Sequence, residues 1–386
     1  MDLPKDIRYI GVDDREIDLF EGYYTVPDGM AYNSYVILDE KIAVFDSVDQ
    51  RFGAQWLANL TQALEGRTPD YLIVQHMEPD HSANIALFMS QYPDAKIVAS
   101  AEAFPMMQNF YGESWPERRI AVKDGDTLSL GSHTLRFLSA PMVHWPEVIM
   151  TYDETAKTLF SADAFGKFGT LDAEDDEGWS CEARRYYFGI VGKYGRQVQV
   201  VLKKLEGVEL AAICPLHGPQ ITENLDYYLN LYNIWSSYGV ETEGVAIFYT
   251  SVYGHTKQAA ELLAERLTAK GCHKVAISDL AREDLAECVE DAFRYGRIAL
   301  ATTTYNMGCF PFMREFLTRL AERGYRSRRI GMIENGTWMP FAARRMKELL
   351  ESCKDLSYVD TTVTIKSALN DETRAQIDKL ADELLA

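Results

Sequence analysis

The chain is poor in the features that staple small domains together: its six cysteines are scattered, with no Cys-x-x-Cys pair. Neither a disulfide framework nor a zinc ribbon is indicated. Positive charge is also short, with 39 Lys and Arg against 58 Asp and Glu and a formal net charge of -19. A surface so acidic argues against binding nucleic acid or an anionic membrane. No uncharged apolar run reaches the roughly eighteen residues of a membrane span, and the opening Met-Asp-Leu-Pro-Lys-Asp lacks a basic stretch followed by an apolar one. The expectation is a soluble cytoplasmic protein with no export signal. Repeats and low-complexity tracts are absent, and 386 residues leave room for two or three domains with substantial cores.

What is present is a dense set of metal-binding side chains. Val74-Gln-His-Met-Glu-Pro-Asp-His81 follows the apolar, β-prone run Tyr71-Leu72-Ile73-Val74, which reads as a buried strand. His76, Glu78, Asp80 and His81 then lie on the loop leaving it, where a rigid scaffold usually carries ligand groups. Pro79 is expected to hold that loop open rather than let it wind into a helix. A lone His-x-Glu or Asp-His pair is usually a solvated surface, so the rest of the chain has to decide. His144, Asp163 and His217 each stand at the end of a strand-like apolar run, where residues of neighbouring strands can converge. Of only seven histidines, four fall into this pattern.

The periodicity changes along the chain. Residues 1 to about 240 read as strands and turns with few helices. Ala31 to Leu38 with Ile42 to Phe45, and Val148 to Tyr152 with Lys157 to Phe160, look like hairpins. Helical spacing appears near Gln55 to Leu64, Glu102 to Phe110, Glu182 to Leu205 and Tyr227 to Tyr238. A boundary is expected at Glu241 to Gly244, giving domains 1–243 and 244–386. Beyond it, strands starting at Val245, Lys274, Arg297, Arg329 and Val359 alternate with helices, which means a five-stranded parallel sheet covered on both faces. Ligands of such sheets bind at the carboxyl ends of the strands.

Three loops fall at that edge. Thr250 to Thr256 joins strand to helix and is rich in hydroxyls, an anion nest suited to phosphate. Thr302 to Gly308 follows the third strand, and Glu334 to Trp338, with its aromatic face, the fourth. No dinucleotide-type motif is present to hold a diphosphate and an adenine.

The pattern His-x-Glu-x-Asp-His, followed by a distant His, Asp and His, resembles the metallo-β-lactamase fold, and Glu78 stands where zinc hydrolases of that fold typically carry His. Four imidazoles and three carboxylates without thiolate suit iron or manganese at least as well as zinc. Three carboxylates plus a bridging hydroxide would cancel the charge of two ferrous ions. The second half resembles flavodoxin, whose phosphate loop Ser251, Gly254 and Thr256 match, with Tyr253 where a hydroxyl residue is usual; in the second loop Thr303 stands where flavodiiron proteins commonly have proline. The whole chain therefore resembles the A-type flavodiiron proteins, in the minimal class without an attached rubredoxin or flavin reductase domain.

That resemblance implies an N-terminal αββα sandwich and a flavodoxin-like doubly wound sheet. It implies one iron on His76, Glu78 and His144, the other on Asp80, His81 and His217, with Asp163 bridging. It implies FMN rather than FAD, with its phosphate on Ser251, Val252, Tyr253, Gly254, His255 and Thr256. Thr304, Tyr305, Asn306 and Gly308 would line the isoalloxazine and ribityl chain, and Asn335, Gly336, Thr337 and Trp338 the other side. It also implies a soluble donor, a rubredoxin or alternatively a reduced deazaflavin, reduction of dioxygen to water or nitric oxide to nitrous oxide, and head-to-tail homodimers or dimers of dimers. Dioxygen needs four electrons, and the iron pair and one flavin can each supply two. The sequence names neither the preferred gas nor the proton donor. Trp145 and Glu147 could shape the pocket or simply pack beside it, while Cys181, Cys214 and Cys309 read as plain buried residues and His133, His255 and His273 as surface or loop residues, His255 within reach of the phosphate. Two rivals stay open: a zinc hydrolase with an appended flavodoxin module, and an electron carrier that uses only its flavin.

Overall fold

A computed structural model describes residues 3–174 and 178–386. The chain separates into two compact units, with the division between Asn233 and Ile234. The boundary expected at residue 244 lies inside the strand Thr242–Tyr249 of the second unit.

The first unit is a sandwich of two sheets. One has six strands in the order Ile7–Tyr9, Tyr35–Leu38, Ile42–Phe45, Tyr71–Ile73, Lys96–Ser100 and Arg119–Val122, antiparallel at the first three and parallel thereafter. The other has five, Thr127–Ser129, Thr134–Ser139, Ile149–Asp153, Thr158–Phe160 and Ala212–Cys214, with only the last pair parallel. Alternate residues of each strand turn inward. Tyr35, Ile37, Ala43, Phe45, Tyr71 and Ile73 thereby meet Leu135, Phe137, Ile149 and Phe160 in one core. The rings of Phe45 and Phe160 stack there at 4.0 Å, and truncating either to alanine would cost about 3–5 kcal/mol. Gly53–Leu64 and Ala103–Tyr111 cover the outer face of the first sheet, and Gly195–Leu205 that of the second.

The single helix expected over Glu182 to Leu205 is broken. Ser180–Tyr186 runs into a wider turn at Tyr187–Val191 and a tighter one at Gly192–Tyr194 before Gly195–Leu205 begins. Gly189, Gly192 and Gly195 lie at these changes of winding, where backbone freedom is bought at a loss of helix propensity. Of the first expected hairpin, Tyr35–Leu38 does pair with Ile42–Phe45, while Met30–Tyr32 pairs instead with Val12–Asp14.

In the second unit the parallel strands lie in the order Val275–Asp279, Thr242–Tyr249, Tyr295–Tyr305, Arg329–Asn335 and Ser357–Ile365. The first strand in sequence sits inside the sheet, next to the third, which makes their carboxyl ends a topological switch point. Val245, Ile247, Ala299 and Ala301 pack on the helices His255–Ala269 and Asp371–Leu385. Asn370 and Thr373 form a reciprocal cap that starts the last helix. Tyr295–Tyr305 is longer than expected and consumes most of the Thr302 to Gly308 segment. It reverses at Asn306 and Met307, both with positive φ, into the antiparallel Gly308–Cys309.

Candidate functional site

In the first unit the metal-binding side chains gather at the ends of strands from both sheets. His76 follows Tyr71–Ile73, His144 follows Thr134–Ser139, Asp163 follows Thr158–Phe160 and His217 follows Ala212–Cys214. Glu78 precedes Pro79–Ser82, a single helical turn that carries Asp80 and His81. Pro79 thus starts a helix instead of preventing one, because at the first helical position its missing N–H is not needed.

All seven expected ligands come together. Ligand atoms of His76, Glu78, His144 and Asp163 lie within 4.8 Å of one another, and so do those of Asp80, His81 and His217. Glu78 Oε2 is 3.2 Å from His76 Nε2 and 3.0 Å from His144 Nε2. In the other group Asp80 Oδ2 is 3.3 Å from His81 Nε2 and 3.4 Å from His217 Nε2. Asp163 joins the two. Its Oδ2 lies 2.9 Å from His144 Nε2 and its Oδ1 lies 3.3 Å from His81 Nε2.

Outer hydrogen bonds decide what the imidazoles present inward. His76 Nδ1 donates to Glu147 Oε1 at 2.9 Å, and His217 Nδ1 donates to the Ala31 carbonyl at 2.8 Å. Each neutral ring is left with a bare lone pair at Nε2. Yet His81 Nε2 and His217 Nε2 stand only 3.0 Å apart, and both oxygens of Asp80 and of Asp163 are buried without a hydrogen-bond partner. Facing lone pairs and orphaned carboxylate oxygens are costly unless cations lie among them. The donor set fits two divalent metal ions shared through Asp163.

The electrostatics agree. Burial alone would disfavour a charge on His144, but the carboxylates of Asp163 and Glu78 beside it push its pKa up to about 9. His76 and His81 are also raised against the opposing effect of burial, chiefly by the charges of Asp163 and Asp80 respectively. Conversely, the imidazoles hold Glu78 and Asp163 below the usual carboxylate range although burial opposes this. This field attracts positive charge, and a metal competes for the same lone pairs as a proton.

Some supporting residues carried no usable sequence signal; Glu147 and Trp145 did, by standing beside His144. Asp46, fully buried at the end of Ile42–Phe45, accepts from the backbone N–H groups of Gln75 at 2.7 Å and His76 at 3.3 Å, tying down the ligand loop. Burial pushes its carboxyl up to about 6. Glu147 accepts from Met77 N at 2.8 Å as well as from His76, so it orients the loop rather than simply packing beside it. Phe20 and Tyr186 close the side of His217, each ring 5.4 Å from it, and Trp145 stands edge-on 5.2 Å from His76. Glu21, exposed as a whole residue, brings its carboxyl against Glu78, and desolvation at that contact together with the neighbouring charge raises it to about 7.

His133, expected at the surface, is 3% exposed and locked between Asp153 at 2.6 Å and Asp6 at 2.9 Å. Cys214 and Cys309 are buried as expected, whereas Cys181 is half-buried.

The second unit carries a cavity of about 660 Å³ at the carboxyl ends of its strands. Of the residues expected to hold a flavin, Ser251, Val252, Tyr253, His255, Thr256, Thr304, Tyr305, Asn306, Asn335, Gly336, Thr337 and Trp338 line it. Gly254 and Gly308 shape the backbone around it. Gly254 has φ +90°, which favours glycine, and stands before the first residue of His255–Ala269. No side chain caps that helix, so its leading N–H groups remain available for an anion. Tyr253 is 90% exposed and Trp338 91%, two aromatic faces bordering the opening, as a flat ring ligand would use. Thr303, Met307, Met339 and Ser367 also line the cavity. Ser367 N donates to Asn335 Oδ1 at 3.0 Å and the Ser367 hydroxyl lies 2.8 Å from that of Thr337, so a fourth loop, after Ser357–Ile365, closes the site.

No helix among the described residues is long and apolar enough to cross a membrane. Residues 30–218 match the ODP family of beta lactamases, and residues 247–367 match flavodoxin. The chain is 29% identical over 356 residues to the anaerobic nitric oxide reductase flavorubredoxin of Salmonella arizonae, covering 89% of this chain and 74% of that protein. It is 34% identical over 301 residues, 76% of its length, to the putative diflavin flavoprotein A 1 of Thermosynechococcus vestitus, of which it spans about half, 52%. The solved rubredoxin oxygen:oxidoreductase of Desulfovibrio gigas has the same fold, with a TM-score of 0.90 at 24% identity over 100% of this chain and 97% of that one. A beta-lactamase-like domain followed by a flavodoxin domain, with relatives among flavorubredoxins and diflavin flavoproteins, makes this chain a member of the flavodiiron proteins, oxidoreductases with FMN and a non-haem diiron site.

Proposed function

We propose that the protein reduces dioxygen to water, nitric oxide to nitrous oxide, or both. His76, Glu78 and His144 would hold one iron, Asp80, His81 and His217 the other, and Asp163 would be shared. The observation that carries this reading is Asp163, whose two buried oxygens face different histidine clusters with no hydrogen bond to occupy them. The names of the Salmonella relative, a nitric oxide reductase, and of the D. gigas protein, an oxygen oxidoreductase, support the two gases.

When bound, iron and FMN supply the electron transfer. The chain's own residues prepare the ground for it. Glu147 and the Ala31 carbonyl fix the rings of His76 and His217 so that Nε2 faces inward. Phe20, Tyr186 and Trp145 restrict water beside the ligands. Ser251 to Thr256 and the helix start behind them would hold the flavin phosphate, leaving Tyr305 and Trp338 to border the ring. A rubredoxin fits the role of donor, with a reduced deazaflavin as the alternative, and the working form would be a head-to-tail homodimer or a dimer of dimers.

The test is anaerobic reduction of the iron- and FMN-loaded protein, then stoichiometric addition of each gas while flavin absorbance and product are followed. Rapid flavin reoxidation with water or nitrous oxide formed is expected. If neither gas reoxidises the protein faster than it does Asp163→Asn, the proposal fails.

A further inference from the structure

The flavin loops use one end of the second unit's sheet. At the opposite end, where its strands begin, lies a separate cavity of about 420 Å³. Arg297, near the start of Tyr295–Tyr305, and Arg329, the first residue of Arg329–Asn335, are register partners on adjacent parallel strands. Their side chains leave the same face next to each other, and both line the cavity. Like charges in such positions destabilise a sheet unless something lies between them.

Arg328 lines the same cavity and is 2% exposed. Its Nη1 donates to the carbonyls of Tyr238, at 2.8 Å, and of Arg326 and Ser327, each at 3.2 Å, and its Nη2 to those of Gly239, at 2.9 Å, and Phe293. Carbonyl dipoles satisfy those N–H groups but do not cancel the charge, and burial lowers the proton affinity of the guanidinium. Among the described residues no carboxylate forms an ion pair with Arg328 or Arg329, and the Nε of each is buried without an acceptor. Glu243, 76% exposed, is 3.5 Å from Arg297 Nη1, and Asp355 and Ala386 border the rim. Glu243 pairs with Arg297, and neither it nor Asp355 forms an ion pair with Arg328 or Arg329.

We infer that this cavity binds a phosphoryl oxyanion, inorganic or at the end of a small organic phosphate, through Arg329 and Arg297, with the buried charge of Arg328 behind them. The planar guanidinium fork matches phosphate oxygens, and the hydroxyl-bearing Ser327 and Ser357 line the same wall. The volume exceeds that of a single phosphate, so pyrophosphate or a phosphate with an organic substituent would fill it better.

Calorimetric titration of the FMN-loaded full chain, whose flavin phosphate site is already filled, tests this at fixed ionic strength with phosphate, pyrophosphate and a nucleoside monophosphate. Saturable binding of at least one probe is expected, weakened about tenfold by Arg329→Gln and also by Arg297→Gln, with flavin absorbance unchanged. The tighter of the inorganic and organic probes identifies the source of the phosphoryl group. No saturable uptake by the parent protein, affinity in both substituted proteins equal to that of the parent, or heat that chloride reproduces would overturn the assignment.

Discussion

The two sites of this molecule are built in opposite ways. The ligand cluster of the first unit is made of buried side chains with His76, His81 and His217 fully enclosed, whereas the cavity of the second is open, rimmed by loops and bordered by Tyr253 and Trp338 at 90% and 91% exposure. A metal pair demands fixed donor atoms whose charge must be compensated once buried. A flavin needs backbone donors for its phosphate and a slot for its ring. The first site should therefore fail when one atom is changed, and the second when the backbone is.

The sharpest way to break the contrast is Asp163→Asn. It keeps the shape but removes the shared charge, so gas consumption is expected to fall by about a hundredfold or more, with iron content reduced and flavin absorbance retained. Flavin lost together with iron would show that the sites are not independently built. Next in size is Glu147→Gln, which leaves His76 Nδ1 an acceptor but removes the carboxylate charge. Ferrous ion affinity, followed by metal titration of the apoprotein, should drop about 10- to 100-fold. For the flavin side, Gly254→Ala at φ +90° should cost about 1–2 kcal/mol, read as roughly tenfold weaker FMN binding with iron unaffected.

The smallest effect contrasts a structural histidine with those of the candidate metal site. The pKa of His133 is raised from 6.5 to about 9, chiefly by its hydrogen bond to Asp153. A raised folded-state value means the stabilisation is fully present below pH 6.5 and lost as pH rises through about 9. His133→Gln should thus lower stability in denaturant by about 1–2 kcal/mol at pH 6, after allowance for solvent screening, with the difference vanishing near pH 10.

The clustering of the candidate ligands was legible because their chemistry is rare and their spacing dense: Glu78 among three closely placed donors has few bland explanations. The parallel sheet was legible because strand and helix periods alternate after Gly244. Asp46 was not, since one aspartate after an apolar run looks like any turn residue and only the fold shows it facing Gln75 and His76. Ser367 was missed for the same reason, its role arising from contact with Asn335 and Thr337 about thirty positions earlier. His133 was misjudged because both its partners, Asp6 and Asp153, are distant in sequence. The extended Tyr295–Tyr305 strand was hidden by a run of threonines that suits a loop as well as a strand.

One contact reaches further than the site it serves. The Ala31 carbonyl that steadies His217 belongs to Met30–Tyr32, which pairs with the short strand Val12–Asp14 and bridges to Gly169. Anchoring His217 more firmly, as a bound cation does, would also tether this ribbon. Amide protons near the amino terminus would then exchange more slowly in the metallated protein, an effect felt well outside the coordination sphere.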